Sequence, residues 1–213
     1  MKYIIMCGGK YNGWSTPRWL TKINDEPIVE RTIRLLRQNG IEDIAISSNH
    51  DCFDYIGVPV LKHDNGYTCG YESSGRTGYS WLSAFYFTEE PVCYIFGDVV
   101  FSPEAIKTIV ETETNDIEFF ASAKPFALSY PKSHAEPFAF KVVNTKHFKQ
   151  AVEDTQMHYN CAHIKRCIAW ELWQVIKGTK LGKIVTNYTV INDYTCDIDS
   201  TNDVTKWKTL ING

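Results

Sequence analysis

Hydrophobic runs rich in β-branched and aromatic residues alternate along the chain with amphipathic stretches. This alternation is typical of strands interleaved with helices and predicts an α/β fold with a largely parallel sheet. The predicted strands are 2–7, 43–47, 58–61, 92–96, 117–121, 138–143, 184–188 and 194–198. The predicted helices are one from Ile28 to the Asn39-Gly40 pair, then 77–87, 103–111, 145–154, 164–177 and 203–211.

Composition limits the classes of protein that the chain can be. With 213 residues, 44% of them hydrophobic and 14% aromatic, residues 1–213 can bury the core of one domain. The net charge is −3 and the 22 basic residues are scattered, so we expect no nucleic-acid partner. The apolar stretch at the start is too short for a signal peptide and no run could cross a bilayer, so we expect a cytoplasmic protein with no membrane partner.

The seven cysteines include no Cys-x-x-Cys pair. Cys7, Cys93 and Cys196 fall within strand patterns, which favours buried, reduced thiols. A cluster of soft ligands, His158, Cys161, His163 and Cys167, raises the alternative of a zinc site. Its spacing matches no standard zinc knuckle, and we interpret it as the start of a helix.

A glycine turn follows the first predicted strand at Cys7-Gly8-Gly9-Lys10. Glycines lack Cβ, so their backbone can approach a ligand closely and direct N–H groups at a phosphate. An ordinary turn is the alternative, because glycine is the usual turn residue. The glycine turn therefore predicts a phosphate site, but the prediction depends on the motifs that follow in the sequence.

Two motifs follow, Pro17-Arg18-Trp19-Leu20 and the segment 25–30, Asp-Glu-Pro-Ile-Val-Glu. With the glycine turn they resemble the start of nucleotidyltransferases that couple a nucleoside triphosphate to a phosphorylated sugar, alcohol or acid. Those proteins have Pro-Lys-x-Leu and Gly-x-Pro-Leu-(Ile)-Glu at these places. Here Arg18 replaces the lysine, which keeps the cation but changes its shape. The loop before Thr16 is also shorter and lacks the usual arginine, for which Lys10 is a substitute.

Asp98 ends a second apolar strand, in the sequence Phe96-Gly97-Asp98. Ligands of open α/β sheets bind at the carboxyl ends of strands, and a carboxylate there can hold a divalent cation that carries phosphates. A cap for the next turn is the alternative. The resemblance implies that Asp98 is a metal ligand.

The third landmark is the segment 197–203, Asp-Ile-Asp-Ser-Thr-Asn-Asp. It resembles the C-terminal signature of the same family, which implies that Asp199 is the second metal ligand, with Asp197 as the substitute. Alternation along a strand puts Asp197 and Asp199 on one face. Ser200 or Thr201 can cap the last helix.

A polar stretch covers residues 63–78. Long polar loops within compact domains are often functional, although simple surface exposure is the alternative. In the resembling family the equivalent loop closes around the base and ribose. We therefore predict nucleotide contacts from Ser74, Gly75, Arg76 and Thr77, together with Cys7, Gly8, Gly9 and Lys10.

Acceptor binding leaves weaker signals. Glu136 could bind an ammonium or hydroxyl group, and Lys141 or Arg166 a substrate phosphate. Arg166, Trp170 and Trp173 share one helical face, which more often indicates core packing than a binding site.

Taken as a member of this family, the chain is expected to have a three-layer, mostly parallel, Rossmann-like sheet, the nucleotide-diphospho-sugar transferase fold. The resemblance implies Mg²⁺ on Asp98 and Asp199, with Arg18 also catalytic, and release of pyrophosphate. The small size is similar to the cytidylyl-transferring members, which favours CTP. The implied acceptors are phosphoglutamine, phosphocholine or a sugar or polyol phosphate, in bacterial capsule modification, and a homodimer is left open.

Three other classes of protein are weighed against this interpretation. A glycosyltransferase of the same fold would usually show Asp-x-Asp after the central strand, where this chain has one Asp. A dinucleotide-dependent oxidoreductase would need Gly-x-Gly-x-x-Gly. A non-catalytic nucleotide sensor could dispense with the two carboxylates.

Overall fold

A seven-stranded sheet lies at the centre of the protein. The structure, a computed structural model, describes residues 1–8, 16–62, 81–123, 135–165, 167–181 and 187–212. Its strands are β1 (Lys2–Met6), β2 (Lys22–Ile23), β3 (Glu26–Pro27), β4 (Ile44–Ser47), β5 (Val60–Leu61), β6 (Val92–Phe96), β7 (Val99–Val100), β8 (Ile117–Ser122), β9 (Pro137–Val142), β10 (Thr189–Ile191) and β11 (Cys196–Asp197). Its helices are α1 (Ile28–Gln38), α2 (Pro103–Glu111), α3 (Thr145–Asn160), α4 (Ala169–Ile176) and α5 (Thr201–Asn212), with 3₁₀ turns at Arg18–Leu20 and Trp81–Ala84.

The strand order of the sheet is β10-β8-β9-β6-β1-β4-β5. All neighbours are parallel except β9, which runs antiparallel to both β6 and β8. Every residue of β6 is buried, as expected for a strand with both faces covered by other elements. The predicted α/β fold with a mostly parallel sheet flanked by helices is therefore confirmed.

Aromatic side chains fill the space between the sheet and its helices. Phe140 of β9 stacks on Phe119 of β8 with ring centroids 4.5 Å apart, and Phe148 of α3 lies 5.0 Å from Phe85. Trp173 of α4 is fully buried against Phe119. These contacts hold α3 and α4 on the sheet by the buried hydrophobic area and also by the geometry of the ring pairs, because aromatic pairs prefer tilted or offset arrangements.

Helix α1 shows how the sequence sets its own boundaries. It begins directly after Pro27, a residue whose fixed φ suits a helix start, and it buries Ile28, Val29, Ile33 and others along one face. It ends at the predicted cap pair, where Gly40 takes a φ of 77° that other residues rarely adopt.

Several boundaries differ from those expected. Helix α3 runs to Asn160 because Thr155 and Tyr159 continue its buried face, so His158 lies in its last turn and not at the start of a helix. Helix α4 begins only at Ala169. The expected helix 77–87 is, in its described part, a 3₁₀ turn at Trp81–Ala84 followed by irregular chain.

The late strands also differ. Most of the expected strand 184–188 lies outside the described residues, and the edge strand β10 follows at Thr189–Ile191. The expected strand 194–198 shortens to β11. Among the described residues, no helix is both long and apolar enough to cross a membrane.

Candidate active site

The carboxyl ends of β1, β4 and β6 are held together by backbone bonds that continue past the strands. The Cys7 amide donates to the Ser47 carbonyl at 2.9 Å, and the Gly97 amide donates to the Met6 carbonyl at 3.0 Å. The Ser48 hydroxyl donates to the Cys7 carbonyl at 2.9 Å. This edge is where ligands of open α/β sheets bind, and it holds Cys7, Gly8 and Asp98.

Gly97 allows β6 to approach β1 closely at this edge. A Cβ at Gly97 would lie 2.6 Å from both the Met6 carbonyl oxygen and the Cys7 Sγ. Both distances are far below ordinary contact, and the carbonyl belongs to the backbone and cannot rotate away. The position of Asp98, the next residue, therefore depends on glycine at 97.

A two-stranded ladder brings Asp98 next to Asp199. Strand β7 follows Asp98 and pairs antiparallel with β11, with Asp197 opposite Val99. One residue further, the Ile198 amide donates to the Asp98 carbonyl at 2.9 Å. This bond joins backbone segments about a hundred residues apart and places the two predicted metal ligands together, one residue beyond the backbone pair of Asp197 and Val99.

The start of α5 fixes the backbone at Asp199. The Asp203 carboxylate accepts from the Ser200 amide at 2.8 Å, from the Ser200 hydroxyl at 2.9 Å and from the Asp199 amide at 3.2 Å. A side chain of the first turn that bonds back to the residue before the helix is the reciprocal half of a capping box. Ser200 occupies the capping position, one of the two predicted.

Arg18 lies between the two aspartates. Its Nη1 is 2.9 Å from Asp199 Oδ1 and 3.3 Å from Asp98 Oδ2. The neighbouring Trp19 is 3% exposed and packs beside His50 and Phe53, which anchors the 3₁₀ turn that carries Arg18. The structure thus brings together all three predicted catalytic residues.

The motif at 25–30 supports this arrangement from the adjacent hairpin. Asn24 and Asp25 have φ values of 51° and 66°, the signs of the tight turn that joins β2 to β3. Asp25 stands where the resembling motif has glycine, and it adopts the conformation that glycine favours. Glu26 forms two bonds of 2.7 Å to Arg34, which ties the hairpin to α1.

The electrostatics of the site are dominated by the burial of Asp98. Burial raises the pKa of Asp98, the Arg18 guanidinium opposes that rise, and the nearby charges of Asp199 and Glu136 add to it. A partly buried carboxylate with acidic neighbours favours the binding of a cation, because only a positive charge offsets both the desolvation and the repulsion.

Of the predicted acceptor residues, Glu136 lies at the active edge of the sheet and Lys141 lies away from it. Glu136 is 6% exposed and lies just before β9 at the active edge, with its amide donating to the Ser122 hydroxyl at 2.8 Å. The predicted contact of Lys141 with a substrate phosphate is wrong. Its ammonium instead donates to the carbonyls of Ile109, Val110 and Thr112 at 2.9, 2.8 and 2.6 Å. It caps the carboxyl end of α2, since β9 runs antiparallel and carries Lys141 away from the site.

The predicted nucleotide contact of Cys7 is also wrong. Its side chain is 0% exposed, its amide and carbonyl are both bonded within the protein, and burial raises the pKa of its thiol. It therefore packs the strand end and offers no atom to a nucleotide. Gly8 is half-buried at the carboxyl end of β1, where the prediction requires it.

The remaining predicted residues lie outside the described residues. They are Gly9, Lys10, Ser74, Gly75, Arg76, Thr77 and Arg166. Trp170 and Trp173, which share the predicted face with Arg166, are buried, so the core interpretation of that stripe is confirmed.

The cysteine prediction is confirmed for the strand residues, whereas the predicted helix start at His158–Cys167 is wrong. Cys7, Cys93 and Cys196 are buried and form no disulfide, as expected. In the His158–Cys167 segment, Cys167 is buried while Cys161 is exposed, and the Nδ1 atoms of His158 and His163 are 3.1 Å apart.

The donor set of Asp98 and Asp199 fits a magnesium ion. Mg²⁺ is commonly bound by one or two carboxylates, with water and substrate phosphates as its other ligands. Both carboxylates already contact one cationic nitrogen, so they are close enough to share a cation. In the described parts of the chain, no group of three or more His, Cys, Asp or Glu side chains could hold a metal.

Sequence reasoning missed the role of two residues at this site. The close approach at Gly97 could have been inferred from a glycine directly before the aspartate at a strand end. The bond from Ser48 to Cys7 had no sequence signal, because it joins two loops that only the folded sheet brings together.

The sheet order and the paired carboxylates at its active edge define an α/β fold with an acidic site at the carboxyl ends of its strands. The family model described as "MobA-like NTP transferase domain" matches residues 3–164. The chain belongs to this nucleotidyltransferase family. No curated protein matches the chain significantly.

Solved structures share the fold at low identity. A protein described as a glucose-1-phosphate thymidylyltransferase from Bacillus anthracis is 13% identical with a TM-score of 0.58, covering 98% of this chain and 94% of its own. The CTP:phosphocholine cytidylyltransferase of Streptococcus pneumoniae is 16% identical with a TM-score of 0.54, covering 99% and 98%. The 4-diphosphocytidyl-2C-methyl-D-erythritol synthase of Anaerococcus prevotii is 15% identical with a TM-score of 0.58, covering 100% and 96%.

Proposed function

We propose that this protein couples a nucleoside triphosphate, with CTP preferred, to a phosphorylated small molecule and releases pyrophosphate. The observation that carries the proposal is the convergence of Arg18, Asp98 and Asp199 at the carboxyl edge of the sheet. Within a nucleotidyltransferase family, one cationic side chain and two carboxylates at this place match the charges that a metal-bound triphosphate needs.

In the proposed reaction, a phosphate oxygen of the acceptor attacks the α-phosphorus of the triphosphate and the pyrophosphate leaves in line. The acceptor is already anionic, so the protein does not have to remove a proton. Arg18 would bind phosphate oxygens with its planar fork of donors, and Gly8 would give the triphosphate close access to the backbone. Mg²⁺ held by Asp98 and Asp199 would supply the remaining charge neutralisation.

The preference for CTP comes from the small size of the chain, which is similar to that of the cytidylyl-transferring members of the resembling family. Two of the three solved structures reported above are named for cytidylyl or CTP chemistry, and the third is named for thymidylyl transfer. At such identities they show the fold alone. We keep the predicted nucleotide contacts, which are Gly8, Gly9, Lys10, Ser74, Gly75, Arg76 and Thr77.

For the acceptor, we propose that Glu136 binds an ammonium or hydroxyl group and that Arg166 contacts the acceptor phosphate. Phosphocholine, phosphoglutamine and sugar or polyol phosphates stay the candidate acceptors, with capsule modification as the role. We take residues 1–213 as one nucleotidyltransferase domain and the cytoplasm as its location.

The test is to incubate purified protein with Mg²⁺, each of four nucleoside triphosphates and each candidate acceptor, and to measure pyrophosphate release. The expected result is release with CTP and one acceptor, abolished in Asp199→Asn. Tight triphosphate binding with no release from any pair would contradict the proposal and favour a nucleotide sensor of the same fold.

A further inference from the structure

Arg18 contacts both carboxylates that would hold the metal. One nitrogen, Nη1, lies 2.9 Å from an Asp199 oxygen and 3.3 Å from an Asp98 oxygen. The two aspartates project from segments fixed by the Ile198 to Asp98 backbone bond and by the Asp203 cap. The positive charge of the guanidinium therefore offsets two adjacent negative charges, as the charge of a bound metal ion would.

A guanidinium and a metal ion cannot both sit between the same two oxygens. Arginine stays protonated at any physiological pH, so its charge cannot be lost to make room. The contact has to break before a metal ion can bind both carboxylates. Breaking it is feasible because the side chains of Arg18, Asp98 and Asp199 are 25%, 31% and 53% exposed, so water can solvate them during the exchange.

A triphosphate gives Arg18 a better partner than the aspartates. Phosphate accepts two parallel bonds from a guanidinium and carries more charge than one carboxylate. When phosphates draw Arg18 away, its guanidinium no longer occupies the place between the aspartates, and the metal ion that the phosphates also bring can bind there. The lysine of the resembling motif would offer a point charge in place of a fork, so this coupling follows from Arg18 itself.

We propose that Arg18 is a built-in competitor of the metal, which keeps divalent cations weakly bound until a triphosphate engages its guanidinium. The inference rests on the proposed function for the identity of the triphosphate site. Its first consequence concerns the protein alone: without nucleotide, the metal binds less tightly than the two aspartates would allow.

The experiment measures Mn²⁺ binding to the nucleotide-free protein, from the loss of the free-ion electron paramagnetic resonance signal. We expect Arg18→Gln to bind Mn²⁺ on the order of tenfold more tightly than the wild type, since two partly exposed ion-pair contacts are removed. Arg18→Lys should fall between the two. Arg37→Gln, which removes an exposed arginine from α1, is the charge-matched control and should bind Mn²⁺ as the wild type does.

Asp98→Asn in the Arg18→Gln background should abolish the gain in affinity, which shows that the ion binds at this pair. Circular dichroism and urea unfolding check that each variant is folded. Unchanged or weaker Mn²⁺ binding in folded Arg18→Gln would overturn the inference. Failure of the proposed function is a separate result: tighter Mn²⁺ binding with no pyrophosphate release from any substrate pair would refute nucleotidyl transfer while leaving the competition intact.

Discussion

Gly97→Ala is the substitution that best separates the geometry of the site from its chemistry. The added Cβ would lie 2.6 Å from the Met6 carbonyl oxygen and from the Cys7 Sγ, whereas ordinary contact begins at 3.4 Å, so the strand ends must separate by 0.8 Å to restore it. Overpacking of this kind costs about 1–3 kcal/mol of the free energy of unfolding.

The same displacement should reduce turnover. Asp98 is the next residue in the chain, and a shift of about 1 Å at a reacting centre can cost roughly a hundredfold in rate. We expect Gly97→Ala to lose at least about tenfold in kcat, measured as pyrophosphate release with the identified substrates, while urea unfolding gives the stability loss in parallel.

Gly40→Ala is the matched control. Its φ of 77° makes alanine unfavourable by about 1–2 kcal/mol, yet nothing lies within 4 Å of the added Cβ and the residue is at the far end of α1. It should lose stability and keep its kcat. If Gly97→Ala keeps full turnover and stability, the claim that this close approach positions Asp98 is wrong.

Substitutions at three further residues test other parts of the account. Asp98→Asn should abolish turnover yet stabilise the metal-free fold at neutral pH, because burial raises the pKa of Asp98 and so disfavours its charged form. The contribution of protonated Asp98 to the free energy of unfolding is fully present below about pH 4 and is lost as the pH rises through the folded pKa. Urea unfolding in the presence of a chelator should therefore show a stability gain for the variant at neutral pH and none at low pH. Lys141→Met should lose about 2–3 kcal/mol of unfolding free energy with acceptor KM unchanged, and a raised KM would return Lys141 to the acceptor site. Asp203→Ala should lower the free energy of unfolding in urea by about 1 kcal/mol and weaken Mn²⁺ binding, because the bonds that fix the backbone at Asp199 are removed. Asp203→Asn keeps an acceptor oxygen and should lose less stability. Equal losses in the two variants would show that the cap does not act through these bonds.

Local sequence signals predicted the elements with strong internal patterns. Strand β6 and helix α2 have the predicted bounds, because an uninterrupted apolar run and a Ser-Pro start are signals within the elements themselves. Helix α3 continued six residues beyond its prediction, from 154 to 160, since its later apolar positions are filled by Thr155 and Tyr159, which bury through packing and not through propensity.

The candidate site was predictable in its residues but not in its contacts. The resemblance singled out Arg18, Asp98 and Asp199, yet nothing in the chain's order shows that Arg18 lies between the aspartates. Lys141 illustrates the opposite error: a lysine on a strand indicates a ligand or a surface charge equally, and only the antiparallel direction of β9 puts it under α2.

The central claim is that this site transfers a nucleotidyl group, and following the α-phosphate is its most direct test. The protein is incubated with Mg²⁺, α-labelled CTP and the acceptor panel, and the labelled products are separated. The account predicts that the label moves into a new diphosphate-linked product with one equivalent of pyrophosphate, and that Asp199→Asn stops this. Label recovered only as CTP, CMP or CDP, or a product formed equally by the variant, would contradict it.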